Sequence, residues 1–289
     1  MRCPPHRLPL IALAACALLA ASPAAAQATT EALAAALPGV RAEAGAGLRA
    51  DSTQRAAARR RAAADDPARA PAYYVVAQGA LVREAPEASA RVVARPAFRD
   101  AVRVLGYGGG GWARVQHGDV QGYLPEAALS NVWIRVSKSE RMVYVYRGAE
   151  LYRAYPADVS ASDGDKVRRA RIDEPEHHRI PEGVFFITRR HGRSQYYRAF
   201  VLNYPNHAHA LRGLREGLIT EAQYQAIARA EAEFREPPMN TPLGGLIEIH
   251  GDGSGRQRAW TRGCVALRNV HMDELWEFVE VGTPVLIER

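Results

Sequence analysis

From Tyr73 onward the chain carries short runs in which apolar residues fall at every second position, many of them closed off by glycine-containing turns. Ala101-Val102-Arg103-Val104-Leu105, Trp112-Ala113-Arg114-Val115, Val132-Trp133-Ile134-Arg135-Val136 and Met142-Val143-Tyr144-Val145-Tyr146 all follow this pattern. A period of two sends alternate side chains to opposite faces of a strand, and runs this short leave no room for a helix of ordinary length. The pattern therefore predicts a mainly β protein. Further strands are expected at Leu151–Tyr155, Gly183–Thr188, Ala199–Asn203, Leu246–Ile249 and Pro284–Ile287. The glycines at 106–111 and His117-Gly118-Asp119 are expected to be turns of a small antiparallel barrel spanning residues 72–130. A second β domain with its own core follows over 131–289.

Two peripheral helices are expected in that second domain. Thr220-Glu221-Ala222-Gln223 has the spacing of a capping box and opens a helix to about Arg235, with Tyr224, Ile227 and Phe234 as its apolar stripe. Asn269 is the expected N-cap of another helix reaching Val279, with Met272, Leu275 and Trp276 turned inward.

Ahead of the strands the texture differs. Arg2 and Arg7 precede an apolar stretch from Leu8 to Ala21 and the small residues Ser22-Pro23-Ala24-Ala25-Ala26-Gln27-Ala28. This order predicts a secretory signal peptide over residues 1–26, hence export to the periplasm or cell envelope, and the apolar run is too short for a membrane span. The competing reading takes Leu13-Ala14-Ala15-Cys16 as a lipoprotein signal, with lipid on Cys16. Residues 27–70, rich in alanine and arginine and poor in aromatic and β-branched side chains, read as a tether. The net charge of +7 suits an anionic partner such as a wall polymer. Basic and aromatic residues are not interleaved as in nucleic-acid-binding surfaces, so no nucleic-acid partner is expected.

Removing the signal peptide takes Cys3 and Cys16 and leaves Cys264 alone. A lone thiol in an exported chain is either inert filling or a nucleophile. The residues around it favour the second. A thiol attacks as thiolate and needs a base or a positive field nearby. His250, at the end of an alternating run and followed by Gly251, supplies the base, and its ordinary pKa suits proton exchange. Gly263 admits a carbonyl close to the main chain, where the amides of Arg262, Gly263 and Cys264 form a candidate oxyanion hole. Thr261, Arg268 and Asn269 are candidate substrate-binding residues, and Arg262 also suits a substrate carboxylate. The glycines at 253 and 255 suggest a mobile loop between Asp252 and Trp260. His177-His178 and His207-Ala208-His209 lack the spacing of a known metal motif, so no metal or other cofactor is expected.

These residues closely resemble the YkuD-type L,D-transpeptidases, whose motif is His-Gly, a variable loop, then Ser or Thr, any residue, Gly, Cys and a hydrophobic residue. Here it reads His250-Gly251 and Thr261-Arg262-Gly263-Cys264-Val265, with Leu267 and Asn269 following. Arg179-Ile180-Pro181-Glu182-Gly183 is similar to the family's Thr-Pro-Glu-Gly turn, and the resemblance extends over 131–289. It implies a β-sandwich or barrel catalytic domain. Cys264 would attack a peptidoglycan tetrapeptide stem at its L-centred diamino acid, expel D-alanine and leave a thioester for an amine of a second stem or a lipoprotein lysine. His250 would act as base and then acid, its second ring nitrogen oriented by a main-chain carbonyl such as that of Gly251. Many members carry His before the Gly-Cys pair and Arg two residues after the cysteine; this chain has Arg262 and Ala266, so Arg268 or Arg262 must serve instead or specificity differs. A hydrolytic L,D-carboxypeptidase or lipoprotein-releasing enzyme with the same nucleophile, and a wall-binding module without catalysis, are the alternatives. Residues 72–130 resemble a bacterial SH3-like domain through Ala80-Leu81-Val82-Arg83-Glu84-Ala85-Pro86, Gly111-Trp112-Ala113-Arg114-Val115 and Gln121-Gly122-Tyr123-Leu124-Pro125. Trp112 and Tyr123 are either a wall-recognition surface or core aromatics.

Overall fold

The computed structural model describes residues 70–289. The expected signal peptide and all of the tether but Ala70 lie outside the described residues. Ala70 itself is buried against Leu105.

Among the described residues the protein has two sheets and three α-helices. The first sheet is antiparallel and joins β1 (Ala72–Val75), β2 (Val82–Arg83), β3 (Val92–Ala94), β4 (Ala101–Gly109), β5 (Trp112–His117), β6 (Val120–Pro125) and β7 (Leu129–Ser130) in the order β3-β2-β6-β5-β4-β1-β7. Val102, Val104, Ala113, Val115 and Leu124 alternate inward to make its core, as the period of two requires. One expectation shifts. Gly106 to Gly109 continue β4, paired with β5, and the reversal is confined to Gly110 and Gly111. Trp112 and Tyr123 are both half-buried, between the two readings offered for them.

The second sheet has eight strands: β8 (Val132–Ser137), β9 (Met142–Arg147), β10 (Glu150–Pro156), β11 (Gly183–Ser194), β12 (Tyr197–Leu202), β13 (Glu248–His250), β14 (Val265–Ala266) and β15 (Pro284–Glu288). Their order is β10-β9-β8-β15-β11-β12-β13-β14. β11 joins the two halves of the sheet: its first residues, Gly183 to Phe186, pair with β15 and those from Ile187 onward with β12. The core inside includes Ile134, Phe185, Phe200, Leu202, Val265 and Leu275, all at most 1% exposed. Each such side chain contributes about 1.5–3 kcal/mol on burial.

Three helices stand where two were expected. α1 (His207–Arg215) is capped by Asn206, whose side chain accepts from the His209 amide. The His-Ala-His run hid it, because Ala210 and Leu214 are the only apolar residues that mark its inner face. α2 (Glu221–Ala232) has the expected capping box between Thr220 and Gln223. α3 (Asn269–Trp276) is shorter than expected, and its N-cap is Arg268, not Asn269. The Asn269 side chain is turned elsewhere: it accepts from the Asp252 amide (2.7 Å) and donates to the Asp252 carboxylate (3.1 Å).

Candidate active site

β13 and β14 run parallel, with Ile249 opposite Val265 and His250 opposite Ala266. Ile249 and Val265 point together into the core, so the alternate positions, Cys264 and His250, share the other face of the same strand pair. The strand that the sequence begins at Leu246 begins at Glu248 instead. Leu246 has φ of 52°, a left-handed conformation outside any strand, and its carbonyl faces the Cys264 Sγ at 3.5 Å.

Two glycines make these turns feasible. A Cβ on Gly251 would lie 2.6 Å from the Asn269 Oδ1 and 2.8 Å from the Tyr196 carbonyl oxygen. Gly263 has φ of 118°, and a Cβ there would approach the Arg179 carbonyl oxygen to 3.0 Å. Thr261 is buried and its hydroxyl donates to the Cys264 carbonyl at 2.6 Å, closing the Thr261–Cys264 turn. The Thr261 hydroxyl is thus engaged in closing the turn, and the Asn269 side chain, which lines the open groove with Asp252, Gly253, Arg268 and Val270, is engaged with Asp252. Arg262 is exposed beside the turn, and Arg268 is exposed on an open groove shared with Asp252, Gly253 and Val270.

His250 is 2% exposed. Its Nδ1 lies 2.7 Å from the Gly251 carbonyl oxygen, which can only accept, so Nδ1 carries a proton and Nε2 of the neutral ring is free to take one. The ring stacks on Tyr196 at 4.4 Å and meets the edge of Trp260 at 6.1 Å. Burial holds its pKa below the ordinary imidazole value, against smaller upward pulls from the Gly251 carbonyl and Asp252. Burial also pushes the Cys264 thiol up to about 12; Glu248 adds to the rise, while the Glu248 amide and Lys166 oppose it. Burial therefore favours the neutral form of both groups.

The loop from Asp252 to Trp260 is tied down, contrary to the mobility its glycines suggest. Asp158, buried on the neighbouring segment, accepts from the Ser254 amide and hydroxyl (both 2.7 Å), the Arg258 amide (2.9 Å) and the Trp260 indole (2.7 Å). This carboxylate fixes the indole against His250. Tyr196 and Trp260, which meet the His250 ring, and Asp158, which reaches it only through Trp260, escape a reading of the sequence because they come from separate segments; only Trp260, at the end of the His-to-Cys loop, sits in a place that hints at it.

The histidines outside this site do other work. His209 contacts Asn206 through Nδ1 (2.6 Å) and Asp165 through Nε2 (3.3 Å), and His207 contacts the Tyr224 hydroxyl (2.9 Å). Among the described residues no group of three or more His, Cys, Asp or Glu side chains is arranged to hold a metal ion. No described helix is long and apolar enough to cross a membrane.

A thiol and an oriented imidazole on one face of a parallel strand pair, within an eight-stranded sheet, define a class of candidate acyl-transfer site. The family follows from the sequence match: residues 131–287 fit the model of the YkuD L,D-transpeptidase catalytic domain, and the chain belongs to that family. Among solved structures it is similar to Bd1075 of Bdellovibrio bacteriovorus, at 25% identity and a TM-score of 0.34, covering 55% of this chain and 47% of that one. An L,D-transpeptidase of Xylanimonas cellulosilytica gives 15%, 0.34, 55% and 61%, and one of Mycobacterium smegmatis gives 14%, 0.32, 62% and 67%. The chain thus spans about half to two thirds of the length of these relatives. No curated protein matches it.

Proposed function

We propose that this protein is a cysteine-dependent acyltransferase acting on the stem peptides of peptidoglycan. The observation that carries the reading is the His250 Nδ1 hydrogen bond to Gly251, which leaves Nε2 as a base on the face that also bears Cys264. In the forward step Nε2 takes the thiol proton while the sulfur attacks the carbonyl of the L-centred diamino acid. The imidazolium returns that proton to the departing D-alanine amine, and a thioester remains. The acceptor then attacks the thioester, and His250 takes its proton as the thiolate leaves. The Gly263–Cys264 main chain, bent by the φ of 118°, offers amides to the developing oxyanion. Membership of the L,D-transpeptidase family supports this substrate and an amine, from a second stem or a lipoprotein lysine, as acceptor.

In the same proposal residues 1–26 direct export to the periplasm or envelope, 27–70 form a tether, 72–130 form an SH3-like domain and 131–289 carry the chemistry. The antiparallel sheet with its own core over β1 to β7 supports an independent module there. Incubation of the mature protein with a disaccharide tetrapeptide, followed by mass spectrometry, tests the reaction. Crosslinked dimer is expected; tripeptide accumulating without dimer would replace transfer by hydrolysis, and neither product would leave a binding module.

A further inference from the structure

The sequence contains two lysines, Lys138 and Lys166, among 38 basic residues; every other cation is arginine. Both lysines are buried, at 8% and 2% exposure. Lys138 is fully engaged: its Nζ donates to the Gly164 carbonyl (2.7 Å) and the Ile180 carbonyl (3.4 Å) and pairs with Glu182 (2.5 Å). Lys166 is not. Its one hydrogen-bond acceptor among the described residues is the His177 carbonyl at 3.0 Å, which leaves two of three N–H groups over.

What the remaining N–H groups lie against is the nucleophile's own turn. The Nζ is 3.4 Å from the position a Cβ would occupy on Gly263, the residue before Cys264. The lysine is held there from behind. Asp165 accepts from the Glu182 amide (2.8 Å) and pairs with Arg212 and His209, while Arg212 also donates to the Lys166 carbonyl. α1 supplies both of those side chains, so the helix that the sequence did not reveal fixes the main chain at Lys166.

The charges around the sulfur show what such a cation would do. Glu248, 8% exposed, stands beside Cys264 in the continued β13–β14 register and opposes a second negative charge there. Lys166 favours that charge; burial, with Arg169 adding to it, draws the lysine's own pKa down to about 8 against the pull of Cys264, which still leaves it mainly ammonium at neutral pH. A buried ammonium keeps far more of its field than an exposed arginine does. We propose that Lys166 is a positioning residue whose ammonium is the fixed counter-charge against which the Cys264 sulfur becomes anionic when His250 takes its proton. The inference rests on Cys264 being the nucleophile. No bond forms or breaks at Lys166: the proton passes from Sγ to Nε2, and the ammonium offsets the charge left on sulfur.

Alkylation of Cys264 by iodoacetamide at neutral pH reads the thiolate fraction without any peptide substrate. Lys166→Met should slow it about tenfold, the equivalent of one pKa unit, while Lys166→Arg should stay near the native rate. Glu248→Gln should speed it. The same comparison made in a Glu248→Gln background, Lys166→Met with Glu248→Gln against Glu248→Gln alone, removes the other charge beside the sulfur and should again be about tenfold slower. Equal rates in either comparison overturn the counter-charge role. Failure of the wider reading looks different: the native protein would then give no acyl-enzyme with a stem peptide, whatever the alkylation rates.

Discussion

The hydroxyl of Thr261 donates to the carbonyl oxygen of Cys264 at 2.6 Å, so the residue that opens the Thr-x-Gly-Cys turn also closes it. A loop hydroxyl and a turn lock look the same in a sequence. Thr261→Val keeps the shape and removes the bond, and should cost about 1 kcal/mol of stability. Because the loosened turn carries the proposed nucleophile, acylation by a tetrapeptide should fall more than the stability does, which paired chemical denaturation and acylation rates would measure.

Gly263 is confined by its φ of 118° and by the Arg179 carbonyl oxygen 3.0 Å from where a Cβ would sit. Gly263→Ala should destabilise the protein by roughly 1–3 kcal/mol. It should also depress acylation, since relief of the strain moves the Gly263 and Cys264 amides. A variant as stable and active as the native protein in the same two assays would show that the turn needs no glycine.

In the proposed reaction His250 has to be neutral to accept the thiol proton, and burial holds its pKa below the ordinary 6.5. The acylation rate should therefore be maintained as pH falls through 6.5 and decline only below it. His250→Gln should lose about a hundredfold or more. A pH–rate profile of the native protein with an acid limb centred above 6.5 would contradict the buried, neutral imidazole.

Asp165 answers to pH in another way. Burial alone would raise its pKa, but His209, Arg212 and the Glu182 amide together hold it well below the usual carboxylate range. A carboxylate depressed in the folded state contributes stability that is present above its unfolded value, near 3.8, and lost as pH falls towards the folded one. Asp165→Asn should cost about 1.5–3 kcal/mol at neutral pH, and the gap to the native protein should narrow below about pH 4, as urea midpoints across the acid range would show.

Asp158 governs the loop that covers His250. Asp158→Ala leaves the Ser254 and Arg258 amides and the Trp260 indole without their acceptor. The loop should loosen, Trp260 should become more accessible to a soluble fluorescence quencher, and acylation should fall. Unchanged quenching would mean that Trp260 is held by other contacts.

The strands and the two glycine turns that carry the candidate pair, His250 and Cys264, were legible in the sequence for a physical reason: alternation and turn glycines are local, and the His-Gly and Gly-Cys turns each need glycine at a close approach. The capping box of α2 is local too. What escaped depends on contacts between distant segments. α1 has a small apolar face and carries polar residues whose partners lie more than 40 positions earlier, as in the Arg212–Asp165 pair. Asn269 reads as a cap by composition, yet the nearby turn at Asp252 claims its side chain. Asp158 and Lys166 sit in a stretch between β10 and β11 with no pattern of its own, and only the fold brings them to the site.

The most direct measurement is intact-mass analysis of the mature protein mixed with a disaccharide tetrapeptide and quenched in acid. The account expects one adduct on Cys264 with the mass of the stem less its terminal D-alanine, absent from Cys264→Ala and much reduced in His250→Gln. Turnover of the peptide by Cys264→Ala, or an unmodified Cys264 in the native protein, would contradict it.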